Sequence, residues 1–135
     1  AVRCGGWWVG GGLCVGRFGG CVLRVPGLSR AAAPRVDPLV WIANGRALRR
    51  ENWDVLLPAR EIENLSYVAG VNRTGHGGDI QYNGGSAAFD PWGEPVAARL
   101  AVASPSVVDV STASVANIRR KYPFLADIRQ TSHAY

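Results

Sequence analysis

A chain of 135 residues allows one domain, and 47% hydrophobic with 19% charged residues excludes a disordered tail. The formal charge of +5 invites nucleic acid as a partner, but the cations are scattered and not laid in a stripe with interleaved aromatics, so no such partner is expected. No apolar run reaches the ~18 residues that span a bilayer, and no membrane partner is expected either.

The head, residues 1–35, differs from the rest. Nine of the 17 glycines lie within its first 27 residues, beside Trp7, Trp8 and all three cysteines, Cys4, Cys14 and Cys21. Glycine costs backbone entropy and contributes little apolar surface, so composition predicts an irregular segment, with Ala1–Gly20 the least regular part. Gly10-Gly11-Gly12 lacks the Gly-Lys-Ser/Thr that a phosphate loop needs. With no CxxC pair and both histidines far off in sequence, neither a disulfide framework nor a metal site is expected. Glycines interrupt the apolar stretch that a secretory leader would need. A reduced, cytoplasmic setting follows.

From Val36 onward the pattern is that of an α/β unit. Leu39–Ala43 is a continuous apolar run, as in a strand buried on both faces. Arg49–Leu65 has helical spacing, with Pro58 an awkward interior residue that should kink or weaken it. Ser66–Asn72 reads as a second buried strand, and Gly75–Asp79 as a turn, leaving His76 exposed. Gln81–Asp90 and Pro95–Val102 read as two antiparallel strands around the turn Asp90-Pro91-Trp92-Gly93, and Ser106–Val110 as a short strand. Ser111 or Thr112 caps a helix to about Lys121, stopped by Pro123. The expected core holds Trp41, Leu56, Val68 and Val71. The basic clusters Arg46, Arg49, Arg50 and Arg119, Arg120, Lys121 read as solvated helix faces.

Several of these segments share a more specific pattern. Trp53 through Asn64 and Tyr67 through Arg73 resemble the run W-x-x-L-L-x-A-R-A-I-E-N-x-x-Y-V-x-G-V-N-R of the nitrilase superfamily of carbon–nitrogen hydrolases, omega-amidase-like branch. Tyr82–Ser86, Asp90–Glu94 and the tail Ile118–Arg129 are similar to that family's Y-x-G-x-S, D-P-x-G-E and closing helix. The resemblance covers residues 36–129 in order, as the C-terminal half of such a domain. Cys21–Arg30 is similar to the family's C-Y-D-L-R-F-P-x-W-S-R if one residue is missing. Cys21 is therefore the candidate nucleophile, and Cys14 its rival, placed too far upstream of Asn44.

The departures have a pattern of their own. Arg24–Arg30 in place of R-F-P-V-W-S-R, and Gly45-Arg46 in place of Trp-Pro, are what a base gained and lost in GC-rich codons would produce. The head is on this reading a frame-shifted remnant of the nucleophile motif, a hypothesis that a clean re-sequencing of the source DNA encoding the same residues would refute.

The resemblance implies an α-β-β-α sandwich, of which residues 36–135 supply half as a mixed sheet with flanking helices. It implies a cysteine amidase that hydrolyses a small linear amide with release of ammonia, without metal or organic cofactor, and as a homodimer. A thiolate nucleophile needs a base and a positive charge near the oxyanion; the family's Glu and Lys precede the Cys, beyond the start of this chain. Asn44 matches a substrate-side loop residue, although Gly45 and Arg46 replace the Trp-Pro that shapes that wall. Glu63 matches a glutamate of the pocket wall, and paired with an arginine it would be structural. Lys121, the one lysine, matches a surface position. Two readings stay open: an amidase, or a non-catalytic remnant of its fold.

Overall fold

The computed structural model describes residues 5–9, 12–100 and 104–128, with side chains at 12–97 and 104–128. In chain order, β1 (Gly5–Val9) and β2 (Leu13–Gly19) form an antiparallel hairpin. A 3-10 turn (Gly20–Arg24), α1 (Pro26–Ala32) and a second 3-10 turn (Ala33–Arg35) lead to β3 (Pro38–Ala43). A third 3-10 turn (Ala47–Arg49) opens α2 (Arg50–Asn64), followed by β4 (Tyr67–Asn72). Then come β5 (Thr74–Gly77), β6 (Ile80–Asn83), β7 (Ser86–Phe89), β8 (Pro95–Leu100), α3 (Thr112–Lys121) and a last 3-10 turn (Phe124–Asp127).

Six strands make one mixed sheet in the order β1-β2-β3-β4-β7-β8, and β5 pairs with β6 apart from it. β2, β3 and β4 run parallel, in register Phe18↔Trp41↔Gly70, while β7 and β8 join antiparallel. Parallel strands need a crossover, and the segment holding α1 supplies one and α2 the other. Phe18, Leu39, Trp41, Val68 and Phe89 alternate onto the sheet face that α2 covers with Trp53 and Leu57. Phe18 stacks on Trp41 with ring centroids 5.0 Å apart. Each such large side chain contributes about 1.5–3 kcal/mol on burial. Gly70 is required where it stands, because a Cβ there would collide with Leu57 and Trp53.

The mixed sheet with flanking helices agrees with the pattern in the sequence, and α3 occupies the expected residues, capped by Ser111 Oγ accepting from the Ser114 N–H at 3.2 Å. Five expectations need correction. The head is regular where described: β2 pairs with both β1 and β3, so inter-strand hydrogen bonding outweighs glycine entropy. Gln81–Asp90 is not one strand, since Gly84 and Gly85, at φ of 67° and 88°, break it and send β6 and β7 to different sheets. Thr74–Gly77 is itself a strand, and the turn narrows to Gly78-Asp79. Residues 106–110 form no strand. Val71 is 52% exposed, because it alternates onto the sheet face opposite α2. The helix also runs through Pro58 without interruption.

Candidate active site

The carboxyl ends of parallel strands leave a crevice where the connections diverge. Here a cleft of about 420 Å³ opens beside the ends of β2 and β3. Cys21 lies in the 3-10 turn that directly follows β2, and it is exposed. In a 3-10 turn, residues three apart eclipse. Cys21 and Arg24 thus share the open side, while Val22 and Leu23 between them are buried. The turn sits close on β3, because a Cβ at Gly20 would collide with Ala43. Its far end is held by buried Arg60 of α2, whose Nε donates to the Leu23 carbonyl at 2.8 Å.

The opposite rim is Asn44 and Gly45, at the end of β3. Buried Asn72 sets that loop: its Oδ1 accepts from the Gly45 N–H at 2.7 Å, and its Nδ2 donates to the Gly84 carbonyl at 2.7 Å. Asn52, Trp53 and Leu56 of α2 line the wall, with Trp53 fixed by an Nε1–H donated to the Gly85 carbonyl at 2.8 Å. Arg49 completes the lining, and no described lining residue is acidic or a lysine.

The structure therefore brings Cys21 and Asn44 to one cleft. Cys14 is buried in the core and does not line it. Glu63 is half-buried on α2 outside the lining, with Oε1 3.2 Å from Arg60 Nη1 and Oε2 3.8 Å from Arg30 Nη2. Lys121 ends α3 with its ammonium 5.3 Å from the Tyr122 ring centroid. Arg24, Arg49, Asn52, Trp53 and Asn72 were not legible as site residues. Their only signals were positions flanking Cys21, Asn44 and the helix motif, and the spacing does not say which way a side chain faces. Among the described residues, no three His, Cys, Asp or Glu side chains could hold a metal ion, and no helix is long and apolar enough to cross a membrane.

Glu61, one turn from Leu57, carries an unusual carboxyl. It is fully buried, and neither oxygen has a hydrogen-bond partner. Burial first, and then the negative charge of Asp90, push its pKa up to about 8, against a small opposing effect of the Gly93 N–H.

Residues 23–120 match the model of the carbon–nitrogen hydrolase family. The chain belongs to that family. The match begins two residues after Cys21. The chain is 38% identical over 93 residues to the omega-amidase YafV of Escherichia coli, an alignment covering 67% of this chain and 36% of the relative. It is 34% identical over 82 residues to the 2-oxoglutaramate amidase of Bacillus subtilis, covering 61% and 32%. The chain thus spans about a third of the length of these curated relatives. Among solved structures, a CN-hydrolase superfamily protein of Xanthomonas campestris, with an arsenic adduct in its active site, superposes with a TM-score of 0.78 at 29% identity, covering 99% of this chain and 52% of that one. An amidase of Nesterenkonia from the nitrilase superfamily gives 0.68 at 25% identity, covering 88% and 47%. The carbon–nitrogen hydrolase fold and the omega-amidase-like resemblance of this chain are thereby established together.

Proposed function

We propose that this chain forms the nucleophile-bearing wall of an omega-amidase-type site that hydrolyses a small linear amide and releases ammonia. The observation that carries the reading is an exposed thiol, Cys21, at the mouth of a 420 Å³ cleft where β2 ends. In that chemistry the Cys21 thiolate adds to the amide carbonyl, the C–N bond breaks, and ammonia leaves with an added proton. Water then hydrolyses the thioester, returning the thiol and a carboxylic acid. Asn44 stands on the substrate side of the cleft, and Glu63, held by Arg60 and Arg30, serves the wall and not the proton transfer. A reduced, cytoplasmic setting and a homodimer belong to the same reading.

A second reading, a scaffold that keeps the fold without turnover, is favoured by one observation: the described lining has neither a carboxylate nor a lysine. A thiol attacks as thiolate and needs a base, and deleting one oxyanion donor alone costs about 10²–10³-fold. The chain by itself is expected to release no measurable ammonia from a panel of small ω-amides. Turnover that disappears in Cys21→Ala would show that a base lies within these residues, and would eliminate the scaffold reading.

A further inference from the structure

We propose that Arg24 and Arg49 are a specificity-determining pair, which makes the cleft select an amide bearing a carboxylate at the end remote from the scissile bond. The inference rests on the amide-hydrolysing reading of the same cleft. The two guanidinium groups are the only charged groups among the described lining residues. They come from different elements, Arg24 from the turn that carries Cys21 and Arg49 from the turn that opens α2.

What sets them apart is the absence of partners. Arg30, Arg50 and Arg60 pair with carboxylates, and Arg73 and Arg119 donate to backbone carbonyls. Among the described residues, Arg24 and Arg49 have no ion pair and no hydrogen bond. A guanidinium presents a planar fork that matches a carboxylate in two parallel hydrogen bonds. Leu23, Ile42, Trp53 and Leu56 give the rest of the cleft an apolar wall suited to a short methylene chain. A small molecule with an amide at one end and a carboxylate at the other meets all three features, whereas a neutral amide leaves both cations unused.

The charge of the cleft can be read at Cys21 without turnover. The full chain is treated with limiting iodoacetate or iodoacetamide, which differ in charge, and carboxymethylation at Cys21 is followed by peptide mass spectrometry. The iodoacetate-to-iodoacetamide rate ratio at Cys21 is expected to exceed that of N-acetylcysteine by about threefold to tenfold, the scale of two exposed charge interactions. Salt should reduce the excess. Arg24→Gln with Arg49→Gln should abolish it, and Arg24→Lys with Arg49→Lys should keep most of it. Succinamate or glutaramate should protect Cys21 at concentrations where butyramide does not. A Cys21 that reacts with both reagents at the small-thiol ratio overturns this inference alone. A Cys21 inert to both overturns the nucleophile reading and this inference with it.

Discussion

Glu61 stands where the family run has alanine, and at the residue scale it dictates how stability should vary with pH. Its Oε2 lies 3.1 Å from where a Gly93 Cβ would be, in the turn Asp90–Glu94. That turn is closed by Asp90 Oδ1, which accepts from the Trp92 and Glu94 N–H groups at 2.8 and 3.1 Å. The Gly93 N–H donates to the Asp90 carbonyl at 3.1 Å and is therefore largely engaged. Unfolded, the carboxyl ionises near 4.5; folded, it holds its proton up to about 8. The folded state thus binds more protons between these values, so stability is highest below about pH 4.5 as far as this group is concerned, and falls as pH rises to about 8. At ~1.4 kcal/mol per pKa unit the loss amounts to a few kcal/mol. Glu61→Gln keeps the shape without the charge. Its melting temperature should be nearly flat from pH 5 to 9 in thermal denaturation, while that of the parent declines across the same range.

At the scale of elements, α3 is joined to the sheet by one side chain. Val115 and Ile118 are its buried residues, and Arg119 reaches past them to the end of α2. Its guanidinium donates to the carbonyls of Leu65 at 3.2 Å, Val36 at 3.2 Å and Asn64 at 3.3 Å, and to the Ser66 hydroxyl. Burial lowers its pKa from the usual value, against the opposing pull of Asp37. The basic tail of α3 is accordingly no uniform solvated face: Arg120 is exposed, Arg119 is a clamp. Leu65 is the one described non-glycine residue at positive φ, 48°, and this clamp receives its carbonyl at the left-handed end of α2. Arg119→Ala leaves several carbonyls without a donor and should cost about 2–4 kcal/mol in denaturant unfolding. Hydrogen exchange should show α3 amides losing protection before those of β3 and β4. Arg119→Lys should recover little, since an ammonium cannot span the same fork.

Across the whole molecule, the two faces of the sheet are unequal. The face toward α2 carries Leu39, Trp41 and Val68, each at most 1% exposed. The other face carries Ile42 and Val71, paired in register and 50% and 52% exposed. Adjacent exposed apolar residues of this kind favour association. Light scattering of the chain should therefore rise with concentration, and Val71→Lys, which leaves the covered face untouched, should reduce that rise without lowering the melting temperature by more than about 1 kcal/mol equivalent.

Local pattern determined a good deal of this protein. The apolar run Leu39–Ala43, the amphipathic stretch ending at Asn64 and the cap Ser111 each act over a few residues. They could therefore be read as β3, α2 and α3 from neighbours in the chain. The motif residues from Trp53 to Arg73 likewise identified the family, because their order and spacing survive without coordinates. The tertiary structure decided what depends on partners distant in sequence. Residues 13–19 became a strand because β3 offered them hydrogen bonds across more than twenty residues of chain. Glu61 became the buried glutamate and Glu63 the paired one, because α2 turns the first toward Gly93 and the second toward Arg30. Cys21, Asn44, Arg24 and Arg49 became one cleft because β2 and β3 end side by side, an adjacency that no local spacing encodes.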